Sequence, residues 1–311
     1  MGHFCVEINS LRNKAPTGPT FAVNTLFNIL IDGLAYGMVL FVIAVGLSVT
    51  LGLMRFVNLS HGAFAMVGGY CAAWLTREAQ WSFWLAVPLA IVATALLGAV
   101  LESLVLRHLY RRKELDQVLF TIGLSFVLIA ATNAIAGPQV QLIVLPPLLA
   151  DSVDLGFRTL PAQRLLVIGA GLAVAVAAAW TVTQTRFGVW LRAAVDHSGT
   201  ASTLGIPIRT VQCASFAAGA ALAGFGGILG AELMPLEPYY ALKYLVLVLV
   251  VVAVGGMGSI AGSLAAAVLL GTIETASRYL ASGWGSLFFF VAMAVFLAWR
   301  PNGLLSGLAK R

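Results

Sequence analysis

Long apolar runs separated by short polar connections make up most of this 311-residue chain. A helix needs about 20 apolar residues to cross the hydrocarbon core of a bilayer, and nine runs approach or exceed that length. The pattern therefore predicts an all-α polytopic membrane protein with about nine transmembrane helices. Two of the runs are short, so the count becomes eight if one of them is re-entrant, and ten if the long first run splits. The predicted helices cover residues 23–53, 61–76, 83–106, 118–136, 165–185, 211–233, 241–254, 260–279 and 286–299.

Composition supports a membrane setting. Hydrophobic residues make up 60% of the chain, charged residues only 10%, and the mean hydropathy is +0.96. A soluble domain is closer to half apolar and a quarter charged, so this chain has too little polar surface to coat a water-soluble body. The 32 glycines allow membrane helices to approach closely. The net charge of +6 comes from residues scattered between apolar runs, which favours a role in orientation over binding to nucleic acid.

The basic residues predict which connections face the cytoplasm, because Lys and Arg concentrate on that side. One alternating set of connections holds more than half of the 18 basic residues, so we assign that set to the cytoplasm, with the N-terminus outside and the C-terminus inside. Residues 1–20 are predicted to be a disordered tail, 21–305 the transmembrane domain and 306–311 a cytoplasmic tail. The cytoplasmic set consists of Arg55, Arg107, Arg111, Arg112, Lys113, Arg186, Arg192, Arg209, Arg300, Lys310 and Arg311.

Two connections are long enough to hold structure of their own. The outer one, residues 137–164, carries four prolines and reads as a structured loop without a helical period. The inner one, residues 186–209, has few helix breakers between 189 and 204 and is polar enough to be solvated. It predicts a short cytoplasmic helix that ends at Gly205, before Pro207.

Two glycine-marked breaks, near 52–62 and 254–262, each follow a long apolar run and lead directly into another one. This similarity predicts a parallel internal repeat about an axis along the membrane normal, although glycine-rich membrane sequences also resemble one another by chance. A break inside the membrane frees backbone groups that protein or a water-filled path must satisfy, so the breaks are candidate parts of the solute route. The candidate residues are Asn58, Ser60, His61, Gly62, Gly255, Gly256 and Gly258.

The polar cluster at the first break has two compatible interpretations. Asn58 or Ser60 can cap the helix that begins near Gly62, or the cluster, with His61, can line the solute route. Three carboxylates also fall in or near apolar runs, and we expect one of them, Glu232, to lie in outside solvent. Glu102 precedes Arg107, and Glu274 lies one helical turn before Arg278, so we expect ion pairs and assign no proton coupling to either carboxylate.

Four stretches resemble the LivH-type permeases of branched-chain amino acid ABC import systems. They are residues 46–64, residues 188–194 with 201–206, residues 253–262, and the tail 300–304, and they occur in that family's order. The resemblance covers roughly residues 26–305. The tail before Phe21 is longer than the family pattern leads us to expect.

The resemblance implies a permease subunit of an importer in the cell inner membrane. It implies a second, LivM-like permease subunit, two LivG/LivF-like ATPase subunits that bind ATP and Mg, and a periplasmic solute-binding protein. This chain would bind no cofactor itself. The helix at 189–204 would be the element that couples to the ATPase, with Arg192, Ala193, Asp196, Leu204 and Gly205 as candidate contacts. Related importers take up urea, short amides and other carboxylic acids, so the solute stays open among these and amino acids.

Other functions remain as alternatives. An ion-coupled secondary carrier would use the intramembrane carboxylates, and a passive channel would use the two broken helices. An inert scaffold has no need for such breaks. The sequence contains no Gly-x-x-x-x-Gly-Lys-Ser/Thr phosphate loop, which favours a subunit whose energy comes from another chain.

Overall fold

The computed structural model describes residues 19–54, 56–110, 112–154, 159–281, 284–300 and 303–304. These ranges contain twelve α-helices, a 3-10 turn at Leu106–His108 and one short β-hairpin. The helices are α1 (Pro19–Met54), α2 (His61–Arg77), α3 (Phe83–Leu104), α4 (Glu114–Ala136), α5 (Pro147–Ala150), α6 (Ala162–Gln184), α7 (Arg186–Asp196), α8 (Ser198–Thr203), α9 (Ile208–Leu229), α10 (Tyr240–Gly255), α11 (Ile260–Leu280) and α12 (Gly285–Trp299).

Each of the nine predicted membrane runs is helical, with ends displaced by a few residues. Six helices are long and apolar enough to cross a bilayer: α1, α3, α4, α6, α9 and α11. The apolar helices α2, α10 and α12 are shorter. The chain is therefore an all-α polytopic membrane protein, as the hydrophobic pattern predicted.

Helix α1 forms the centre of the bundle. It packs against α6, α9, α10 and α11, and 83% of its apolar span is buried, compared with 11% for α6. Helices α3, α4 and α6 expose large apolar side chains over most of their surface. A bilayer accepts such surfaces, whereas water would not.

The connections are sorted to two ends of the bundle. Near the C-terminal end of α1, Ser48 contacts Gly258 in the α10–α11 connection, and Phe56 packs on Tyr110 after α3. The opposite end holds the outer loop, where Gln141 forms a backbone bridge with Leu236. This arrangement agrees with the alternation used to assign the basic residues.

The outer loop is structured, as predicted. It holds α5 and the antiparallel hairpin of β1 (Ser152–Asp154) and β2 (Thr159–Pro161), in which Ser152 pairs with Pro161. The inner connection differs from its prediction, because 189–204 is not one helix. Helix α7 ends at Asp196 and α8 begins at Ser198, since His197 between them leaves helical geometry with φ −146° and ψ 77°.

Both predicted helix breaks are present, but the helices around them pack differently. Helices α10 and α11 lie against each other, whereas α1 and α2 scarcely touch. The internal repeat stays a prediction. The predicted tails, 1–20 and 306–311, lie outside the described residues, except that α1 begins at Pro19, two residues earlier than the predicted boundary.

Candidate translocation and coupling sites

The first break returns the chain into the membrane before α2 begins. His61, the first residue of α2, places Nε2 2.9 Å from the carbonyl oxygen of Ile43 in α1. Ile43 lies eight residues before the end of the apolar span at Leu51, which is about 12 Å along a helix. The segment between Met54 and His61 therefore runs inward, and α2 starts inside the bundle.

Asn58, Ser60 and His61 are all buried, with exposures of 1%, 0% and 1%. The Asn58 Oδ1 accepts from the Ser60 backbone N–H at 3.0 Å and from its hydroxyl at 2.6 Å. Ser60 occupies the N-cap position predicted for it, but it makes no side-chain capping bond. The Asn58 side chain instead folds the turn before the helix, which is the Asx-turn use of this residue. His61 must carry its proton on Nε2, because the carbonyl oxygen of Ile43 can only accept.

Gly62 follows at the point where α2 meets α10. A Cβ on Gly62 would overlap the carbonyl oxygen of Ala241, so no larger residue fits without moving one helix. In this chain the four residues of the first break thus form a closed, packed unit. They do not line an open cavity among the described residues.

A polar stripe on α4 provides hydrogen-bond partners for the backbone of the inward-running segment before α2. The Gln117 Oε1 accepts from the Val57 N–H at 3.1 Å, and the Thr121 hydroxyl oxygen accepts from the Leu59 N–H at 3.2 Å. The Ser125 hydroxyl donates to the Leu59 carbonyl at 3.2 Å. Extended backbone at membrane depth needs such partners, because the lipid supplies none.

The sequence analysis missed this stripe, although the signal is present. Gln117, Thr121 and Ser125 are spaced by four residues, so they share one face of a helix that is otherwise apolar. A polar stripe in an apolar span usually faces a partner inside the protein. Its partner is the first break.

Replacing Gln117 with Leu is expected to destabilise the fold, because the Gln117 amide also donates to the carbonyls of Leu109 and Arg112. Three backbone groups lose a partner, at a cost of at least about 2 kcal/mol. The apparent melting temperature of the purified chain in detergent measures the effect. Thr132→Val is the matched control, since its hydroxyl bonds only the Leu128 carbonyl of its own helix. Equal melting temperatures for Gln117→Leu and Thr132→Val would contradict the stripe's role.

The second break is tighter than the first. Gly256 and Gly258 have φ values of +94° and +80°, a region that side chains other than glycine rarely enter. The Gly258 N–H donates to the Ser48 hydroxyl of α1 at 3.2 Å, and Ser259 caps α11 by accepting from the Gly262 N–H at 3.0 Å. Gly255 lies against α11, where a Cβ would come within 2.6 Å of the Ser263 nitrogen.

The C-terminal motif closes this second break, a role that the sequence analysis did not predict. Gly303 has a φ of +89°, and a Cβ there would lie 2.5 Å from the Gly256 Cα. The Leu304 N–H donates to the Val254 carbonyl at 2.9 Å. The tail thus supplies a donor to the last turn of α10, whose carbonyls have no partners within the helix.

Helix α7 is anchored to the bundle, and α8 projects from it. Leu191 and Ala194 are buried in a small cluster with Val211 of α9 and Val49 of α1. The Thr185 hydroxyl caps α7 by accepting from the Gly188 N–H at 3.3 Å. By contrast, most of α8 is exposed, and Leu204 after it is 77% exposed.

The predicted coupling residues divide between these two helices. Arg192 is exposed, but its guanidinium donates back to the Val182 carbonyl of α6. Ala193 is half-buried, and its carbonyl accepts from the His197 N–H. Gly205 ends the segment with φ +82°, as predicted. The side chain of Asp196 lies outside the described residues.

The carboxylates Glu102 and Glu274 have different partners. Glu274 is buried and receives two bonds from Arg278, at 3.1 and 2.9 Å, so the predicted pair is confirmed. The Glu102 prediction is wrong, because it accepts from the Tyr110 hydroxyl at 3.2 Å and not from Arg107. Residues five apart do not share a helix face, and α3 ends at Leu104 before Arg107. Burial and the Glu102 carboxylate raise the pKa of Tyr110 above its usual value.

The apolar helices of the fold define a multi-pass membrane protein. Residues 29–298 match the family described as "Branched-chain amino acid transport system / permease component". The chain belongs to this family, which confirms the resemblance seen in the sequence.

The curated relatives carry the same description. The permease protein LivH of Escherichia coli K12 is 25% identical over 292 residues, covering 89% of this chain and 94% of LivH. BraD of Pseudomonas aeruginosa is 24% identical over 291 residues, with the same coverage. LivM of Escherichia coli K12 is 26% identical over 291 residues, covering 86% of this chain and 68% of LivM. No solved structure matches the chain.

Proposed function

We propose that this chain is a membrane-spanning permease subunit of an ATP-driven importer in the cell inner membrane. It pairs with a second, LivM-like permease subunit to form the path for a small solute, such as a branched-chain or other amino acid, an amide or a carboxylate. Two ATPase subunits carry ATP and Mg, a periplasmic binding protein delivers the solute, and this chain binds no cofactor itself. Its relatives are branched-chain amino acid transport permeases, which supports the assignment.

The inner connection is the observation that carries this proposal. Helix α7 is fixed to α1 and α9 through the cluster around Leu191, whereas α8, apart from the buried Ala201, and Leu204 after it are exposed to solvent. A rigid base with a projecting tip can transmit a movement from a docked subunit to the helices of the solute path. Neither a secondary carrier nor a passive channel needs such an element.

Reconstitution tests the proposal directly. Uptake of labelled branched-chain amino acids, urea and short amides into liposomes is measured with this chain alone, and with a second permease, ATPase subunits and a binding protein from the same organism. We expect uptake only in the complete system and only with ATP. Uptake by this chain alone, without ATP, would exclude an ATP-driven importer.

Replacing Glu102 and Glu274 with Gln separates the permease from an ion-coupled carrier. Both carboxylates have protein partners, Tyr110 and Arg278, so their structure supports a packing role. We expect the double variant to keep a measurable part of ATP-driven uptake, with a lower melting temperature because the bond from Arg278 loses its charge assistance. Complete loss of uptake in a variant that still folds and binds the ATPase would instead favour ion coupling.

A further inference from the structure

A basic cleft lies at the cytoplasmic end of the bundle, between the connection after α3 and the start of α9. It encloses about 880 Å³. Helix α8 forms one of its walls. The lining residues are Arg107, His108, Tyr110, Gly199, Ser202, Ile208, Arg209 and Gln212.

The cleft carries an excess of positive charge. Arg107 and Arg209 are both exposed, and neither forms an ion pair with a carboxylate in the part of the chain that the structure describes. A smaller neighbouring cavity of about 260 Å³ shares both arginines and ends at Glu102. That carboxylate is buried and its Oε1 accepts from Tyr110, so two guanidinium groups lie near one carboxylate and an excess of positive charge remains. The cleft can therefore receive an anion.

An apolar stripe leads from the membrane to this cleft along α3. Its side chains are exposed and follow one another by three or four residues, so they form one face of the helix. Arg107 lies three residues after the last of them, in the 3-10 turn that follows α3. The stripe consists of Leu85, Leu89, Val92, Leu96, Val100 and Leu104.

We propose that the cleft binds the headgroup phosphate of an anionic phospholipid, with an acyl chain along the α3 stripe. Guanidinium groups bind phosphate in paired geometry, and basic residues at the cytoplasmic membrane surface attract anionic lipids. The exposed apolar face of α3, which ends three residues before Arg107, favours a lipid over an acidic side chain of a soluble subunit. The placement on the cytoplasmic leaflet rests on the orientation in the proposed function.

The cleft that would hold the lipid headgroup is also lined by the helix of the inner connection. Gly199 and Ser202 of α8 line the same cleft as the arginines. A bound headgroup would thus lie against the helix that we propose contacts the ATPase. Lipid binding itself is measured without ATP or transport, so its failure and the failure of the proposed function are distinguishable.

Native mass spectrometry of the full chain tests the site, both alone and in its assembled complex. The detergent-purified protein is titrated with dioleoyl phosphatidylglycerol and, separately, with dioleoyl phosphatidylcholine. We expect retained adducts with phosphatidylglycerol, and about fivefold weaker binding for each arginine removed in Arg107→Gln and Arg209→Gln. Arg186→Gln removes an exposed charge at the same end of the bundle but outside the cleft, and it should leave binding unchanged.

Three further arms decide between sources of the anion. The double variant with Arg107→Lys and Arg209→Lys keeps the charge and should keep most of the binding, which excludes loss through misfolding. Inorganic phosphate at millimolar concentration should displace the lipid poorly, and equal binding of free phosphate would overturn the lipid assignment. Lipid adducts that are present on the isolated chain but absent from the complex would show that a partner subunit covers the cleft, and they would overturn the proposal. An equal loss of lipid binding in Arg186→Gln would overturn it as well.

Discussion

Gly68→Val is expected to abolish the folded bundle. Gly68 in α2 lies against the Gly224 backbone of α9, and a Cβ there would overlap the Gly224 Cα. Gly224 in turn faces Thr94 of α3, where its own Cβ would come within 2.7 Å of the hydroxyl. Three helices therefore cross where no side chain fits, as small residues permit in membrane proteins. Overpacking at such a backbone contact costs about 3 kcal/mol or more, which is a large part of the stability of most domains.

Size-exclusion chromatography of a fluorescent fusion in detergent measures this effect as the yield of the monodisperse peak. We expect that yield to fall at least about tenfold, the change that 1.4 kcal/mol produces. Gly169→Ala is the matched control, because a Cβ at Gly169 meets nothing within 4 Å. A normal peak for Gly68→Val would show that α2 and α9 are not in this close contact.

Leu204→Asp is expected to uncouple the chain from the ATPase that we propose as its partner. Leu204 is 77% exposed just after α8, at the tip of the projecting inner connection. An apolar side chain at the centre of a docking surface contributes more than about 1 kcal/mol, and a buried unpaired carboxylate in its place costs more. We therefore expect at least about tenfold weaker binding of the ATPase and a matching loss of ATP-driven uptake.

Surface plasmon resonance between the permease in nanodiscs and the ATPase measures this affinity. Leu148→Asp is the control, since Leu148 is 72% exposed at the opposite end of the bundle and receives the same new charge. Leu204→Met should bind normally, because its volume and polarity are similar. Unchanged ATPase binding by Leu204→Asp would place the coupling contact elsewhere.

The helices and their breaks could be predicted because their causes are local. Apolar runs of sufficient length specify membrane helices, and the glycines at 256 and 258 mark a turn that other residues rarely form. The pair of Glu274 with Arg278 follows from helical spacing alone.

The depth of the first break could not be predicted, because its cause is distant. Val57 takes its partner from Gln117, 60 residues further along the chain. The division of the inner connection at His197 was missed for a different reason. Position 197 itself is neither glycine nor proline, and Gly199 nearby was outweighed by the helix formers around it, so composition favoured one continuous helix over 189–204.

The α4 stripe has a consequence for how the protein is made. A ribosome delivers the segment around Val57 to the bilayer before Gln117, Thr121 and Ser125 exist to bind its backbone. Exposed peptide groups are costly in lipid, so this segment must wait at the water boundary or within the translocon. The segment therefore reaches its final inward position only after α4 has been inserted. Helices α1 and α2 are thus synthesised before the connection between them can settle in the membrane.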